Sequence, residues 1–493
     1  MLRNWDMSIV LNGDSGKALH LQIVQLLSDE IRSGRLTSGA ALPSTRSLAE
    51  KLDVNRKTVV QAYDELHAQG WIEMEARRGA FVSGKLPVLE AKSISKKTTN
   101  TFPLRLADSP LENYAKSVKG SQSADGIIHF SDGVPDSRLV PFDILSRAFR
   151  HALIASAHAN RLAYDDSRGS ELLRDAIAEK LRFERGMRVT AEQVCIVRGS
   201  QMGIYLSARL LSDAGGCVVM EELSYPPARE AFKSFGIDIK YVAQDHEGMD
   251  IDALEKLCRS HKISAIYTTP HHQFPTTCML PIERRIGLLD LAVKYNFVII
   301  EDDYDHEFHF SHRPMLPLAS MENDGRVIHI GSLSKVLAPG LRLGYIAAAK
   351  QVINRCAAEI LLIDRQGNAL TELAVAELMN EGEIKRHIRR ALKIYEQRRD
   401  YAVNKVRSLM PDVKFSIPPG GLALWLSFDK DVDIRRLQTD CLANKVSILP
   451  GQLFSGTDKK VAAIRMGYAS LNEKEFESAL KRLALSLSQQ IKK

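Results

Sequence analysis

The sequence Val327-Ile-His-Ile-Gly-Ser-Leu-Ser-Lys335 joins a short apolar run to a lysine among hydroxyl side chains. The apolar run predicts a buried strand, and Lys335 stands just past its end. A lysine amine in this position can condense with an aldehyde to form a Schiff base. Hydroxyl and guanidinium groups nearby are suited to hold a phosphate group: Ser332, Ser334 and Arg342. Taken alone, the motif leaves open that Lys335 is a solvated loop residue.

The segments on either side of this stretch predict an α/β fold. From about Ile127 onward, short apolar strands alternate with helical runs. The predicted strands are Val194–Val197, Cys217–Met220, Ala265–Thr268, Phe297–Ile300 and Val327–Ile330. This alternation is typical of a mostly parallel sheet that helices cover on both faces. A long helical stretch, roughly Thr371–Ser408, and a smaller α+β subdomain follow.

An acidic pair follows the strand that precedes Val327. Asp302 and Asp303 follow the apolar run Phe297–Ile300 after one further acidic residue, Glu301, at the strand end where open α/β sheets bind ligands. A carboxylate there can pair with a pyridinium nitrogen, and Tyr304 can bond a ring hydroxyl. The alternative is a divalent-metal site within Glu301–Asp305. We do not expect one, because no histidine or cysteine is spaced to complete it, and we place His306 and His309 at the surface.

Two weaker signals lie earlier in the chain. Gly199-Ser-Gln-Met-Gly203 stands between a predicted strand and a helix, where backbone amides and Ser200 can hold an anion. Tyr225 follows the next strand and could stack on a flat ring. Each of these is compatible with an ordinary turn or a core residue.

The first 84 residues predict a different module. Ser44 can cap a short helix that reaches Leu52, and a second helix runs from Arg56 to Leu66 after a tight turn. This is a helix-turn-helix, and a hairpin, or wing, follows from Gly70 to Val82. The residues placed to contact DNA are Arg46, Arg56, Lys57, Thr58, Arg77 and Arg78. A small helical oligomerisation domain is the alternative.

Length, charge and composition set limits on the whole chain. Its 493 residues suffice for two to four domains, and the net charge is +7. Residues 85–124 carry seven basic and three acidic side chains, and their apolar residues follow neither a helical nor a strand-like spacing. This pattern predicts a basic flexible linker. No apolar run is long enough for a membrane-spanning helix, and the N-terminus is not a secretory signal. The six cysteines form no metal or disulfide motif, so we expect a cytoplasmic protein.

Residues 18–83 resemble the GntR family of winged-helix regulators. The motif residues include Leu42-Pro-Ser44, Arg46, Arg56, Thr58-Val59, Ala62-Tyr63, Gly70-Trp-Ile72 and Gly79-Ala-Phe-Val82. Lys57 stands where members of this family commonly have a small residue, which suggests that the protein reads a different operator sequence. The resemblance implies binding to double-stranded DNA.

Residues from about 128 to 490 resemble fold-type I pyridoxal-phosphate enzymes of the aspartate-aminotransferase class. The resemblance implies that Lys335 carries the cofactor, that Asp302 holds the pyridinium nitrogen and that Tyr304 contacts the ring hydroxyl. Tyr225 would stack on the ring, and Arg465 would clamp a substrate carboxylate. The implied phosphate contacts are Ser200, Gln201, Ser332, Ser334, Arg342 and, from the neighbouring subunit, Tyr164.

The order of the two modules resembles the MocR subfamily of transcriptional regulators. The segment Thr269-Pro-His-His-Gln-Phe-Pro-Thr276 is similar to its hallmark and stands where aminotransferases have Asn-Pro-Thr-Gly. Phe274 falls in place of the asparagine, and Thr277 replaces the glycine. These departures suggest another partner for the ring hydroxyl, such as a nearby histidine, and argue against efficient transamination.

These observations predict a regulator in which pyridoxal phosphate on Lys335 senses a small amine, an amino acid or the cofactor itself. We expect domains at 1–84 and 125–493, the latter with a small subdomain from about 395. The family precedent implies a head-to-tail homodimer. Two alternatives stay open: an active aminotransferase with an appended DNA-binding domain, and an architectural DNA-binding protein with a vestigial dimerisation module.

Overall fold

The computed structural model describes residue 11 and residues 17–76, 78–85, 126–159, 163–310, 315–322 and 324–491. The chain divides into two compact units, Met1–Ala107 and Asp108–Lys493. The predicted linker at 85–124 lies outside the described residues, except for its first residue. The two units are therefore described separately.

The N-terminal unit is a winged helix-turn-helix, as predicted. Its elements are α1 (Leu19–Arg32), α2 (Thr45–Leu52), α3 (Arg56–Ala68), β1 (Ile72–Glu75) and β2 (Gly79–Val82). The hydroxyl of Ser44 accepts the Ser47 amide at 3.1 Å, which confirms the expected cap of α2. Asp53 ends α2 in the left-handed region, and the Asn55 side chain caps α3. Strands β1 and β2 pair antiparallel to form the wing.

The large unit contains fourteen strands among the described residues. The first seven are β3 (Ile128–His129), β4 (Val194–Val197), β5 (Cys217–Glu221), β6 (Asp238–Val242), β7 (Gln244–Asp245), β8 (Gly248–Met249) and β9 (Ile263–Thr268). The other seven are β10 (Val298–Asp303), β11 (Val327–Ser332), β12 (Gly344–Ala347), β13 (Ala423–Ser427), β14 (Val446–Ser447), β15 (Leu449–Pro450) and β16 (Ala463–Gly467).

Helices cover this unit on both sides of its main sheet. They span Phe142–Ala159, Glu171–Arg185, Ser200–Leu211, Pro226–Ser234, Ile251–Ser260, Ile282–Tyr295, Leu318–Met321, Lys350–Ile363, Ala369–Asn380, Glu383–Leu409, Ile434–Ala443 and Glu473–Ile491. Short 3-10 turns lie at Ser137–Leu139, Ala191–Gln193, Pro339–Leu341 and Gly451–Phe454. None of the helices in the described part of the chain is both long enough and apolar enough to cross a membrane.

The main sheet brings the predicted motifs to one edge. Its strand order is β4-β12-β11-β10-β9-β5-β6, and β12 alone runs antiparallel to its neighbours. Strands β11, β10, β9 and β5 are parallel, so their carboxyl ends meet on the same side. Asp303 ends β10 opposite Gly331, and Lys335 follows three residues after β11. The predicted α/β fold is confirmed, and this edge carries the candidate site.

The predicted long helix at Thr371–Ser408 is wrong in one respect. Two helices occupy this stretch, Ala369–Asn380 and Glu383–Leu409, and they meet at Gly382. Gly382 has φ of 73°, a conformation that glycine adopts at little cost and that ends a right-handed helix. Beyond the second helix, β13, β16 and β15 form an antiparallel sheet that is the centre of the smaller subdomain.

Candidate functional site

Lys335 is a half-buried residue that follows β11 at the carboxyl edge of the main sheet. Its Nζ lies 4.2 Å from the centre of the Tyr304 ring, and it has no ion-pair partner among the described residues. Burial lowers the pKa of Lys335 below its usual value, against the opposing influence of nearby carboxylates. A lysine with a lowered pKa has more of the neutral, nucleophilic amine at neutral pH.

Asp302 presents one free carboxylate oxygen to the same space. The hydroxyl of Tyr267 donates to its Oδ2 at 2.7 Å, whereas Oδ1 is buried without a hydrogen-bond partner among the described residues. Burial raises the pKa of Asp302 to about 7, although the Tyr267 bond and the charge of Lys335 act in the opposite direction. A cationic ring nitrogen at Oδ1 would supply the missing partner and favour the carboxylate form.

An aromatic cluster surrounds the amine. Phe274 is buried, with its ring centre 5.1 Å from that of Tyr225 and 6.0 Å from that of Tyr304. The Tyr304 hydroxyl donates to the backbone carbonyl of His272 at 3.1 Å, so its oxygen can still accept a bond from a ring hydroxyl. Thr277, in place of the expected glycine, adopts φ of 64°, a left-handed conformation that is strained for a β-branched residue.

Three of the predicted phosphate contacts lie near the start of the helix Ser200–Leu211: Ser200, Gln201 and Arg342. Gly199 is so close to Arg342 that a Cβ on it would lie 2.9 Å from the guanidinium. Arg342 also donates to the carbonyl of Arg198 at 2.9 Å, which fixes the guanidinium beside the free amides of the helix. Ser200 is the first residue of this helix, and the Gln201 side chain donates to the Pro227 carbonyl.

The two loop serines differ in their bonding. Ser332 is the last residue of β11 and is buried. The Ser334 hydroxyl donates to the Leu343 carbonyl at 3.2 Å and accepts the Leu343 amide at 3.1 Å. Ser334 therefore fixes the loop that carries Lys335, and its proton is already engaged.

Arg465 lies on β16, in the smaller subdomain, and is almost fully buried. It donates to the carbonyls of Asp132 at 2.8 Å and Pro275 at 2.6 Å. Its guanidinium carbon stands 4.4 Å from the centre of the Phe274 ring. The structure thus holds Arg465 against the aromatic cluster that contains Tyr304.

Tyr164 does not join this group within one chain. Its side chain is 75% exposed, and Arg365 stacks on its ring at 4.4 Å. A role toward a neighbouring subunit, as the family resemblance implies, stays a prediction.

The described residues that we predict to contact DNA are exposed or half-buried on the N-terminal unit. Arg56 and Lys57 are exposed in the first turn of α3, and Thr58 is half-buried there. Exposed Arg46 pairs with Glu50 at 3.1 Å on α2. In the wing, Arg78 pairs with Glu75 and stacks on Phe81, so it must exchange one carboxylate for a phosphate on binding. Arg77 lies outside the described residues.

Sequence reasoning missed several neighbours of the site. His306, expected at the surface of a strand, is buried in a turn after β10 with its ring 4.5 Å from that of His271. His272 bonds Asp305 at 2.9 Å, and no contact identifies it as the partner of the ring hydroxyl. The parallel pairing of Thr268 with Glu301 brings these distant residues together, and a sequence alone does not reveal that register.

These residues fit pyridoxal phosphate. The free Oδ1 of Asp302 matches the ring nitrogen, and the uncharged form of Lys335 matches the aldehyde. The turn at Gly199, too narrow for a side chain, matches a phosphate at a helix N-terminus.

Two family models match the chain. The aminotransferase class I and II model covers residues 127–483, and the model for bacterial regulatory proteins of the gntR family covers residues 19–82. The boundaries agree with the two units and with the elements described above.

Curated relatives match over nearly the full length. The chain is 28% identical to the probable rhizopine catabolism regulatory protein MocR of Rhizobium meliloti, over 96% of this chain and 95% of that protein. It is also 28% identical to the uncharacterized HTH-type transcriptional regulator YisV of Bacillus subtilis, over 93% and 94% of the two chains.

Solved aminotransferase structures match about three quarters of the chain. The multiple substrate aminotransferase of Thermococcus profundus is 26% identical with a TM-score of 0.71, over 78% of this chain and 96% of that one. The α-aminoadipate aminotransferase LysN of Thermus thermophilus, complexed with N-(5'-phosphopyridoxyl)-L-leucine, is 26% identical with a TM-score of 0.69, over 78% and 99%.

Proposed function

Because the chain belongs to the aminotransferase class I and II family and joins that fold to a gntR-family module, we propose that it is a transcriptional regulator whose large unit senses a small amine or amino acid. One observation carries the proposal: a single chain presents an exposed basic helix end at Arg56 and, at Lys335, a half-buried amine with no ion-pair partner among the described residues. The resemblance to MocR regulators is borne out by the order of the two modules and by the full-length relatives.

Pyridoxal phosphate is the cofactor of the large unit. When bound, it supplies an aldehyde that reacts with primary amines and a ring that accepts electrons. Asp302 would hold the proton of the ring nitrogen, and Lys335 would bind the aldehyde carbon. Arg342 and the amides of Ser200 and Gln201 would bind the phosphate, and Tyr225 would cover one face of the ring.

The position of Phe274 supports a sensor over an efficient enzyme. Its ring can neither donate nor accept a hydrogen bond, so this residue leaves the ring hydroxyl to other partners. Phe274 instead packs on Tyr225, Tyr304 and Phe454. The aromatic cluster supplies apolar contacts beside the amine, which would stabilise a bound effector without helping proton transfer.

Arg465 is the group we assign to an effector carboxylate. Its Nε and one terminal nitrogen are occupied by backbone carbonyls, so these bonds orient the guanidinium. A planar guanidinium held in this way suits a carboxylate better than a flexible ammonium would. An effector that carries both an amine and a carboxylate could therefore contact Lys335 and Arg465 at once.

We propose a homodimer, with a head-to-tail arrangement as in the resembled subfamily. Apolar side chains are exposed on the helices Phe142–Ala159 and Lys350–Ile363, and large apolar patches of this kind are typical of association surfaces. Leu362 is 83% exposed, and Tyr164 has room for a partner. A dimer would place two recognition helices on one operator.

An effector can shift DNA binding only by binding one arrangement of the protein more tightly than another. An absorbance titration of the pure, cofactor-loaded protein with a panel of amino acids and amines tests the proposal. The wild type should absorb in the visible range and give a stable spectral shift with one class of amine. Lys335→Ala should lose both signals and stay folded, whereas Lys233→Ala, at an exposed lysine, should keep them.

An active aminotransferase is the second candidate. The match to solved aminotransferases and the presence of both Lys335 and Arg465 favour it. Steady conversion of an amino acid and a keto acid by the same preparation would support this function. A stable spectral shift without turnover would support the sensor.

A further inference from the structure

A second buried cluster lies beside the cofactor site and is not used by it. His271 follows β9, Asp303 ends β10, and His306 lies in the turn after β10. All three side chains are at least 95% buried. One ligand atom from each lies within 4.8 Å of the others.

The polar atoms of this cluster lack partners. Both ring nitrogens of His271, Oδ1 of Asp303 and Nδ1 of His306 have no hydrogen bond among the described residues. Nδ1 of His306 is 3.1 Å from Oδ2 of Asp303, but the contact lacks hydrogen-bond geometry. Buried polar atoms in native proteins are nearly always satisfied, so this concentration of unpaired atoms indicates an absent binding partner.

We propose that His271, Asp303 and His306 bind one divalent transition-metal ion. Two imidazoles and one carboxylate form a donor set that zinc, iron and related ions accept, whereas magnesium and calcium prefer oxygen ligands alone. The ion would connect the segment after β9 to the segment after β10. It would bind one unpaired atom from each of the three side chains.

The residues around the cluster support the assignment. Arg185 donates to Oδ2 of Asp303 and to Glu307, each at 2.6 Å, so it fixes the carboxylate while Oδ1 stays free. His329 bonds Glu301 at 3.0 Å on the same side. Such outer contacts are typical of metal sites, where they orient the ligands.

The spacing of the three ligand residues suits a metal ion, and a cavity lies beside them. Zinc–nitrogen bonds of about 2.0–2.1 Å hold tetrahedral ligand atoms about 3.4 Å apart, so small rotations of the imidazoles would close the site. A cavity of about 970 Å³ is lined by His306, Arg185 and Glu307 among others, so open space reaches one of the three ligand residues.

The site would stabilise the cofactor pocket. Asp303 is next to Asp302, and His271 lies three residues before Phe274. An ion held between them would fix the two segments that supply the ring partner and the aromatic cluster. The proposal does not depend on DNA binding or on an effector, so it can fail or succeed separately from the proposed function.

Zn²⁺ titration of the full-length protein tests the site. The protein should be freed of any affinity tag, treated with a chelator and studied by calorimetry. We expect one Zn²⁺ per chain in the wild type and at least a tenfold loss of affinity in His271→Asn and His306→Asn. His309→Asn is the matched control, because its ring lies 6.1 Å from His306 but outside the donor set. Zn²⁺ should also raise the melting temperature of the wild type.

Zinc-edge X-ray absorption of the wild type provides a test that does not need the variants to fold. The proposal requires two imidazoles per ion in the ligand shell. The proposal would be overturned if the wild type did not bind Zn²⁺ stoichiometrically. It would also be overturned if folded His271→Asn and His306→Asn bound Zn²⁺ as tightly as the wild type does. A shell without two imidazoles would do the same.

Discussion

The hydroxyl of Tyr267 donates to Asp302 at 2.7 Å and leaves the other carboxylate oxygen as the free acceptor of the site. This bond stabilises the charged form of a carboxylate whose burial favours the neutral form. Tyr267 would thereby orient the free oxygen of Asp302 toward the ring nitrogen of a bound cofactor. The residue was absent from the sequence prediction, although it belongs to the strand next to Asp302.

Tyr267→Phe should weaken cofactor binding. The variant removes a hydrogen bond to a charged group, and such bonds contribute about 1.5–3 kcal/mol, so we expect about a tenfold or greater rise in the dissociation constant. Absorbance titration with pyridoxal phosphate measures it. Tyr401→Phe is the control, because the Tyr401 hydroxyl donates to Glu477 at the same distance of 2.7 Å. Equal losses in both variants would contradict the role of Tyr267.

Substitutions in the winged helix should separate sequence reading from backbone contact. Arg56→Ala should cost about 1–3 kcal/mol on a preferred operator, because α3 presents this residue to base edges. Arg78→Ala, in the wing, should weaken preferred and random DNA to similar extents. Fluorescence anisotropy on duplexes selected from a random pool measures both effects, with exposed Arg259→Ala as the control. Unchanged binding in both variants would mean that another surface reads the DNA.

Glu221 should make stability depend on pH. Burial raises its pKa from 4.5 to about 8 in the folded protein, so the folded state retains a proton that the unfolded state loses above pH 4.5. Stability is therefore lost as the pH rises from about 4.5 to 8. Glu221→Gln should be more stable than the wild type by a few kcal/mol at pH 8.5 and similar to it near pH 4.5.

Urea unfolding of the cofactor-free protein, followed by circular dichroism, measures this difference. Exposed Glu179→Gln should show no comparable dependence on pH. A difference between wild type and Glu221→Gln that stays flat from pH 4.5 to 8.5 would show that Glu221 is ionised in the folded protein.

Arg465→Ala should impair the effector response and spare the cofactor. Loss of one partner of a buried charge pair costs about 2–5 kcal/mol. We expect the binding free energy of an effector with a carboxylate to weaken by this amount. A titration that follows the visible spectrum measures effector and cofactor binding in the same sample. An unaffected response would point to a non-carboxylate amine, or to pyridoxal phosphate itself, as the signal.

Local sequence signals predicted much of the fold. Ser44 was recognisable as a cap, the basic residues of α3 follow a turn, and the apolar runs of the main sheet became strands. Lys335 and Asp302 could be assigned because both stand at the ends of such runs. The break at Gly382 was missed because the helical spacing of apolar residues continues in the sequence on both sides of it.

Contacts between strands could not be predicted in the same way. Tyr267 meets Asp302, and His271 meets Asp303 and His306, only because β9 and β10 pair in one particular parallel register. A shift of one residue would turn these side chains to the opposite face of the sheet. The sequence contains the residues, but packing on both faces of the sheet sets the register.

The central claim is tested most directly by measuring operator affinity as a function of effector concentration. The visible spectrum and the production of keto acid are followed in the same samples. The account predicts that the spectral shift and the change in affinity have the same midpoint, that both vanish in Lys335→Ala, and that turnover is far below the ~10 per second of typical enzymes. Rapid multiple turnovers with operator affinity indifferent to the amine would contradict a regulator and indicate an aminotransferase.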